Sequence, residues 1–529
     1  MSKELTLRSM LLGAGGSVLV TASSMYVALR MGALPWPTIF VAILSFVVLK
    51  ALGKTNLNEV NVTHTAMSAG GLVAGGVAFT IPGIWMVDKA AQVSQTTLLV
   101  VALSGTILGL VFTGLLRRQF IEAEKLPYPL GIASSQTLIA GDQGGKKARL
   151  LFGSLGASAV FTAMRDQWAL VPASVMPRAL TARNVFFGMY LSPMAMGIGY
   201  IIGPLFMGTW LLGSLIAYFG VIPLGIRLGF FPDVAAATAF KNSLGIGLIV
   251  GSGIGVLVRQ TIPRACTMFA AFSSHRCETG KRRNGVVPLV LAGVALALTG
   301  AAGINLICSV LTIAGTWVTT AMAATITGQT GIDPMEVFGI LVLLAVKALM
   351  TPGMIESFLL AAVVAIACGL AGDALQDFKA GHILGTSPKA QMVAEAVGGL
   401  VGAVVSVLVL GIMRAAYGAM GPGTELVAPQ AYAVSTMVQG LPNPSAFAVG
   451  LVLGGLLNFA GVPGMTIGIG MYLPMPVSTT AGIGGLVRYV VNRRRPQLNE
   501  AGTVISSGLL GGEGFTGVLI ALARVISRT

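Results

Sequence analysis

The sequence predicts an all-α polytopic membrane protein, with roughly 14–16 transmembrane helices and additional re-entrant or broken helices. Composition is the first observation behind this class. Of the 529 residues, 55% are hydrophobic and 10% are charged, against about 45–50% and about 25% in soluble domains. The second observation is that apolar runs recur along the whole chain. Many of them reach the ~18–20 residues that a helix needs to cross a ~30 Å hydrocarbon core.

The apolar runs follow one another with short polar connections between them. The predicted helices cover residues 9–29, 37–51, 62–80, 95–116, 150–164, 184–206, 208–228, 234–258, 286–302, 306–326, 336–350, 357–371, 391–413, 445–460 and 503–523. Two more segments, 126–140 and 462–492, are apolar but interrupted by proline. We therefore expect one integral membrane domain over 1–529, and two repeat halves, about 1–284 and 285–529, are a further hypothesis.

The net charge of +15 indicates a cytoplasmic face rather than nucleic-acid binding. The basic residues cluster in the connections, above all in the loop 259–284, and no basic stretch carries interleaved aromatic residues. Counting spans from these clusters places this loop and the N-terminus in the cytoplasm. Cys266, His275 and Cys277 share the loop, but a zinc site needs a fourth ligand. We expect no metal site and no cofactor.

The two interrupted segments are similar to each other. LPYP at 126–129 begins one and LPMP at 473–476 lies in the other, and small and hydroxylic residues follow both. A helix break at membrane depth survives only where it is buried in protein or lines a wet cavity, and paired breaks are typical of transporter binding sites. We therefore predict that Tyr128 and Met471–Pro476 line one cavity. The alternative is that both segments are ordinary proline-containing loops.

Few ionisable residues interrupt the apolar segments, and each is a candidate functional residue. The third predicted helix begins with NEVNVTHTAM, which contains Glu59, Asn61 and His64. Such a polar start indicates either a cap at the membrane interface or the mouth of a polar cavity, in which histidine suits a proton relay. Lys241 and Asn242 interrupt a later helix, where the lysine either serves the site or extends to the interface.

The densest group of charges is GDALQDFKAGHIL at 372–384, between two apolar runs. Asp373 and Asp377 are four residues apart, so on a helix they share a face with Gln376 beside them, and Lys379 is near enough to pair with a carboxylate. Two adjacent carboxylates cannot both ionise cheaply at low dielectric, which suits a proton carrier. The alternative is a solvated cytoplasmic loop.

Several stretches resemble the oligopeptide transporter family, which includes peptide carriers and yellow-stripe-like carriers of metal chelates. They are MYVALRMGALPWPTIFVAILS (25–45), NEVNVTHTAMSAGGLVAGGVAFTIPGIWM (58–86), LPYPLGIASSQTL (126–138), SLGIGLIVGSGIG (243–255), TITGQTGIDPMEVFGIL (325–341), GDALQDFKAGHILGTSPKAQ (372–391), APQAYAVSTMVQG (428–440) and MTIGIGMYLPMPVSTTAGIGGLVR (465–488). The chain has neither the long polar N-terminal segment nor the KIPPR-like motif of many fungal and plant peptide members. It is more similar to the compact prokaryotic and yellow-stripe-like branch.

The resemblance implies a proton-driven importer of small oligopeptides, or alternatively of metal chelates, rather than an enzyme or a passive channel. It implies a helical, path-facing role for 372–384. It implies proton-coupling or gate roles for Asp373, Asp377, Gln376, Lys379, Glu59 and His64. From the residues and the resemblance together we expect substrate contacts from Asn61, Tyr128, Ser134, Ser135, Gln136, Lys241, Asn242, Glu336, Tyr472, Ser478 and Thr479, and helix N-termini at the breaks that meet a peptide carboxylate. The expected partners are the small-molecule substrate, protons and the lipid bilayer of a prokaryotic inner or plasma membrane, with a homodimer left open.

Overall fold

The computed structural model describes residues 4–32, 38–141, 146–177, 180, 186–256, 258–259, 286–330, 333–439 and 443–527. Helices dominate these residues, and the one sheet in them is the antiparallel pair β1 (Ser174–Val175) and β2 (Met189–Tyr190). Nine helices in the described part are long and apolar enough to cross a membrane. The predicted all-α polytopic class is confirmed. Residues 260–285, with most of the basic loop, its cysteines and its histidine, lie outside the described residues.

Within the described residues, the helices follow one another in chain order. The first eleven are α1 (Leu7–Met31), α2 (Thr38–Ala51), α3 (Leu57–Ala78), α4 (Gly83–Val87), α5 (Gln95–Arg117, continued as a π-helix over Arg118–Ala123), α6 (Pro129–Gly141), α7 (Lys146–Thr162, continued as a π-helix over Ala163–Gln167), α8 (Pro193–Ile202), α9 (Pro204–Leu215, continued as a π-helix over Ile216–Val221), α10 (Ile222–Arg227) and α11 (Val234–Val256). The remaining ten are α12 (Val286–Gly300), α13 (Leu306–Thr330), α14 (Met335–Leu349), α15 (Met354–Leu384), α16 (Pro388–Tyr417), α17 (Pro429–Gln439), α18 (Pro444–Phe459), α19 (Gly464–Tyr472), α20 (Met475–Arg494) and α21 (Asn499–Ile526).

The chain forms two compact units, each assembled from stretches that are distant in sequence. Unit 1 comprises Met1–Ala148, Gln260–Gln439 and Val525–Thr529, and unit 2 comprises Arg149–Arg259 and Gly440–Arg524. Each unit thus takes residues from both of the suggested repeat halves. Compactness does not measure internal similarity, so the repeat itself stays a prediction.

Helix α15 is the central helix of unit 1. It packs against α3, α5, α6, α13 and α14. Every residue from Ser357 to Phe378 is buried. A helix that is apolar on all sides is stable only when other elements surround it. The acidic residues near its C-terminal end are therefore held inside the unit.

Small residues allow α3 and α16 to pack closely in unit 1. A Cβ at Gly398 would lie 1.9 Å from the carbonyl oxygen of Ala66, and one at Gly402 would lie 2.4 Å from Cα of Gly70. Larger side chains at these two glycines would therefore push the helices apart. The backbone carbonyl of Gly398 also accepts a 2.9 Å hydrogen bond from the hydroxyl of Ser17 on α1.

In unit 2, glycines allow α11 and α18 to pack closely in the same way. A Cβ at Gly251 would lie 2.0 Å from the carbonyl oxygen of Leu451, and one at Gly450 would lie 2.3 Å from that of Leu244. Helix α19 packs against α9 and α11, and α20 packs against α8 and α9. The chain between α19 and α20 is broken at Leu473, where the backbone is extended (φ −67°, ψ 152°). The predicted interruption of 462–492 is thus present.

The helix predicted over 184–206 is wrong in its extent. Residues Met189–Tyr190 form β2, the helix begins at Pro193, and it ends at Ile202 before Gly203. Gly203 has φ +93° and Pro204 follows it, so the helix cannot continue through this point. Two further differences are that the helix predicted over 357–371 extends to Leu384, and that Pro429–Gln439 forms a helix that the apolar pattern did not indicate.

Candidate functional site

The acidic stretch at 372–384 forms the last turns of α15, as the helical interpretation requires. Asp373 and Asp377 are four residues apart and lie on the same face of this helix. Their exposed fractions are 5% and 0%. A solvated loop is therefore excluded for this stretch. Two carboxylates buried in this way require partners that stabilise or neutralise them.

Asp377 is in contact with α3 through two side chains. Ser68 donates a hydrogen bond to its Oδ2, and Nδ1 of His64 lies 3.7 Å from its Oδ1. His64 is fully buried, and its Nε2 lies 3.4 Å from the hydroxyl oxygen of Ser134 on α6. An imidazole can accept a proton on one ring nitrogen and release one from the other. The series Asp377, His64, Ser134 is therefore suited to proton transfer between α15 and α6.

Gln376 connects Asp373 to the first turn of α6. Its Nε2 donates a 3.1 Å hydrogen bond to Oδ1 of Asp373, and its Oε1 accepts from the backbone N–H groups of Leu130 (3.0 Å) and Gly131 (3.3 Å). The N–H groups of a first helical turn have no partner within their own helix. Gln376 supplies that partner, so in this structure these two N–H groups hold a side chain rather than a substrate carboxylate.

The proline break before α6 is stabilised by Tyr128. This residue has a left-handed backbone (φ +46°) and is fully buried. Its N–H donates to the carbonyl of Gly328 over 2.8 Å, and its hydroxyl donates to the carbonyl of Ala324 over 3.0 Å. The break is therefore attached to the end of α13. The hydroxyl that was expected to contact substrate is used in this attachment.

The polar start of α3 is held by the N-terminal part of the chain. Both carboxylate oxygens of Glu59 accept hydrogen bonds from Arg8, at 2.7 and 2.6 Å, and further bonds come from Thr6 and Thr55. Glu59 thus forms a structural ion pair with Arg8. Asn61 is buried and donates to the hydroxyl of Thr386 over 3.2 Å.

Lys379 does not pair with a carboxylate of its own helix. The described part of the chain contains no ion pair between Lys379 and either Asp373 or Asp377. At about 100° per residue, Lys379 lies about 240° around the helix from Asp373 and about 200° from Asp377. Lys379 therefore points away from the face that Asp373 and Asp377 share, and the predicted pairing is not seen.

In unit 2, Lys241 stabilises the break between α19 and α20. Its ammonium donates to the carbonyls of Met471 (2.9 Å) and Tyr472 (3.3 Å) and to Oδ1 of Asn242 (2.8 Å). It also lies 4.9 Å from the centroid of the Tyr218 ring. A cation at the C-terminus of α19 interacts favourably with the helix dipole and with carbonyls that have no helical partner. Lys241 is buried rather than extended outward.

The remaining predicted substrate residues are divided between the units. Ser478 accepts a 3.0 Å hydrogen bond from the indole of Trp210, and the hydroxyl of Thr479 donates to a carbonyl of its own helix. In unit 1, the hydroxyl of Ser135 also donates within its helix. Gln136 is exposed, and Glu336 is buried in the first turn of α14. Because Tyr128 belongs to unit 1 and Met471–Pro476 to unit 2, their shared cavity stays a prediction.

Two buried carboxylates of unit 1 were not among the residues predicted from the sequence. Glu395 on α16 is fully buried, and neither of its oxygens accepts a hydrogen bond in the described residues. The sequence contained a signal for Glu395, because a single acid in the apolar run AEAVGG marks a candidate functional residue. Asp333 precedes a proline, which is typical of a helix N-cap, yet both of its oxygens are buried without a hydrogen-bond partner among the residues described. Its Oδ2 lies next to Gly372 on α15.

A buried ion pair in unit 2 was also missed. Arg165 donates to Glu513 over 2.8 Å and to Asp166 over 2.6 Å. The other oxygen of Glu513 accepts from the hydroxyl of Ser192 and from the N–H of Met194, both at 2.9 Å. The pair thus joins the π-helical end of α7, the start of α8 and the middle of α21. Every oxygen of Glu513 has a partner, which is typical of a structural ion pair.

The described residues contain no group of three or more histidine, cysteine, aspartate or glutamate side chains that could hold a metal ion. We call Asp377, His64, Ser68 and Ser134 the Asp377 cluster. In this cluster a buried acid and a buried histidine of unit 1 are in contact. It has no lysine or arginine within ion-pair distance in the described chain. What it can do chemically is hold and pass protons.

Comparison with known proteins matches this sequence to a transport family. The family model described as "OPT oligopeptide transporter protein" matches residues 4–524. The chain is 25% identical to a protein of Haemophilus influenzae named "Putative oligopeptide transporter", over 96% of this chain and 93% of that protein. It is 29% identical to the metal-nicotianamine transporter YSL2 of Arabidopsis thaliana over 30% of this chain and 29% of that protein. It is 24% identical to the rice protein named "Probable metal-nicotianamine transporter YSL17", over 75% of this chain and 69% of that protein.

Proposed function

This chain belongs to the oligopeptide transporter family, and from that premise we propose that it is a proton-coupled secondary transporter that imports small oligopeptides. As a member of this family it is an integral, multi-pass membrane transporter and not an enzyme. The direction of transport, the coupling ion and the substrate are our proposal. So are its location in a prokaryotic inner or plasma membrane, a cytoplasmic N-terminus and assembly as a homodimer.

The observation that carries proton coupling is the contact of Asp377 with His64. Both side chains have no exposed surface, and the carboxylate and the imidazole are 3.7 Å apart. Buried ionisable groups in a transporter are typical of proton relays because burial makes their charged forms costly. The hydroxyls of Ser68 and Ser134 extend the contact to two more hydrogen-bonding groups. Glu59 is a weaker candidate, because Arg8 already neutralises it.

The peptide substrate is favoured by the relative that covers nearly the whole chain, since its name states an oligopeptide transporter. A metal chelate is the second candidate, because two further relatives are named as metal-nicotianamine transporters. The proline breaks before α6 and between α19 and α20 are our candidates for the substrate-facing segments. Exposed backbone and side-chain groups such as Gln136 would then contact the substrate, while Tyr128 and Lys241 keep the breaks in place.

The test is uptake into proteoliposomes by wild type and Asp377→Asn. The probes are radiolabelled trialanine and the Ni(II) complex of nicotianamine, each with and without an acid-outside pH gradient. We expect wild type to accumulate trialanine above equilibrium only with the gradient. Asp377→Asn should lose accumulation and keep exchange between internal and external trialanine, because an amide is nearly isosteric with a protonated acid but cannot release a proton.

Asp88→Asn is the matched control, since Asp88 is exposed and its acceptor oxygen is kept in the amide. It should transport like wild type. Accumulation of the nickel complex instead of trialanine would select the second candidate. Full gradient-driven accumulation by Asp377→Asn would remove Asp377 from the coupling mechanism. Equilibration of both probes without accumulation would contradict secondary transport of these two substrate classes.

A further inference from the structure

Glu395 is a buried acid for which the structure shows no compensating partner. It lies on α16 with an exposed fraction of 0%, and both of its carboxylate oxygens lack a hydrogen bond within the described chain. An ionised carboxylate without partners is strongly disfavoured away from water. The group must therefore be neutralised, by a proton or by a cation.

The neighbours of Glu395 on its own helix show which way its side chain points. Gln391, one turn earlier, donates to the carbonyl of Asp377 over 2.8 Å and to the hydroxyl of Thr65 over 3.3 Å. Gly398, one turn later, touches the carbonyl of Ala66 on α3. Residues at these spacings share a helix face. Glu395 therefore faces the junction of α3 and α15.

Both acidic and basic residues occur on the helices packed against α16. The acidic, basic and histidine side chains on the helices packed against α16 are Arg8 and Arg30 on α1, Glu59 and His64 on α3, Arg117 on α5, and Glu356, Asp373, Asp377, Lys379 and His382 on α15. Asp377 is beside the face of α16 that carries Glu395, because Gln391 on that face donates to its backbone carbonyl.

The arginines among these side chains have other partners. Arg8 is bonded to Glu59, and Arg117 pairs with Glu122 over 2.9 Å. Arg30 lies against the ring of Tyr26. None of them contacts Glu395 in the described structure. Because the carboxyl is not paired with a cation, another acid of the junction is its natural partner.

We propose that Glu395 shares a proton with Asp377, so that the two carboxyls act as one site. This inference rests on the proposed function, because the shared proton is the one that drives transport. Two carboxyls in a dry site are stable when one is protonated and donates a hydrogen bond to the other, since both cannot ionise together. Oδ1 of Asp377 is free to take part, because it accepts no hydrogen bond in the described residues. His64, 3.7 Å from that oxygen, is placed to receive the proton when the pair opens.

The experiment is infrared difference spectroscopy of the purified full-length protein between neutral and alkaline buffer, with no substrate present. The signal is the carbonyl band of a protonated carboxylic acid. We expect Glu395→Gln and Asp377→Asn to remove or shift the same band, because the hydrogen bond between the carboxyls needs both partners. The double variant should show no further loss, and Glu395→Asp should retain a band. Glu124→Gln, which changes an exposed glutamate and keeps the oxygen that accepts from Gln119, should match wild type.

The inference is overturned if Asp377→Asn changes the band while Glu395→Gln, folded by size-exclusion chromatography, superimposes on wild type. It is also overturned if adding Na⁺ at constant pH produces the change. Trialanine uptake then tests the transport role: Glu395→Gln should lose gradient-driven accumulation and keep exchange. If wild type accumulates neither probe, the proposed function fails, whereas the infrared result still decides whether the two carboxyls share a proton.

Discussion

Exchanging the donor and acceptor between Gln376 and Asp373 tests how the acidic helix holds the break before α6. In Gln376→Glu, the new carboxylate can still accept hydrogen bonds from the N–H groups of Leu130 and Gly131, as the native Oε1 does. It can no longer donate to Asp373. Adding Asp373→Asn restores a donor on the opposite side of the same 3.1 Å contact.

The stability that Gln376→Glu should lose follows from the 3.1 Å distance between Gln376 and Asp373. Losing a hydrogen bond to a charged group costs about 1.5–3 kcal/mol. Two ionised carboxylates about 3.1 Å apart repel each other by about 5 kcal/mol at an effective dielectric constant of about 20, which is an upper limit because one of them can take up a proton. Gln376→Glu should therefore lose several kcal/mol. In the double variant most of that loss should be recovered.

The assay is the apparent Tm of wild type, Gln376→Glu, Asp373→Asn and the double variant, all in the same detergent. Unfolding is followed by tryptophan fluorescence, because the chain has five tryptophans. The expected order is wild type and the double variant highest, Asp373→Asn next and Gln376→Glu lowest. Exchange of trialanine should follow the same order. If the double variant is no more stable than Gln376→Glu, the contact between these two side chains does not hold the break.

Three further predictions concern the packing and the ion pairs. Glu513→Gln should lower the apparent Tm, since breaking a buried pair costs about 3–5 kcal/mol, although the second partner of Arg165 reduces the loss. Gly398→Ala should destabilise the protein because its Cβ would clash with a backbone carbonyl, whereas Gly411→Ala on the same helix, which meets nothing closer than 3.6 Å, should be neutral or slightly stabilising in the same measurement. Lys241→Met should increase protease cleavage at the break between α19 and α20, because two carbonyls lose their donor; unchanged cleavage would show that the lysine does not hold this break.

The proline breaks could be predicted from the sequence because they are local. A proline removes a backbone donor wherever it occurs, so LPYP and LPMP had to interrupt their helices. The groups that the two breaks contact lie far from them in the sequence. Tyr128 reaches carbonyls 196 or more residues away, and Lys241 reaches carbonyls 230 residues away. The sequence therefore indicated two candidate binding elements, and the structure showed which of their groups are already used.

The class of the protein was determined by the sequence alone, and the sequence also marked 372–384 as a candidate site. Composition and run length decide whether a chain can span a bilayer, and scarce charges among apolar residues mark a site by their cost. Which charge meets which was decided only by the tertiary structure. Asp377 contacts Ser68, 309 residues away, and Glu395 faces the same junction from another helix. Helix α15 is apolar on every side, so its periodicity cannot show which face meets α3, α6 or α16. Its rotation is set by close packing at glycines and by hydrogen bonds such as those of Gln376, and these exist only once the helices have assembled.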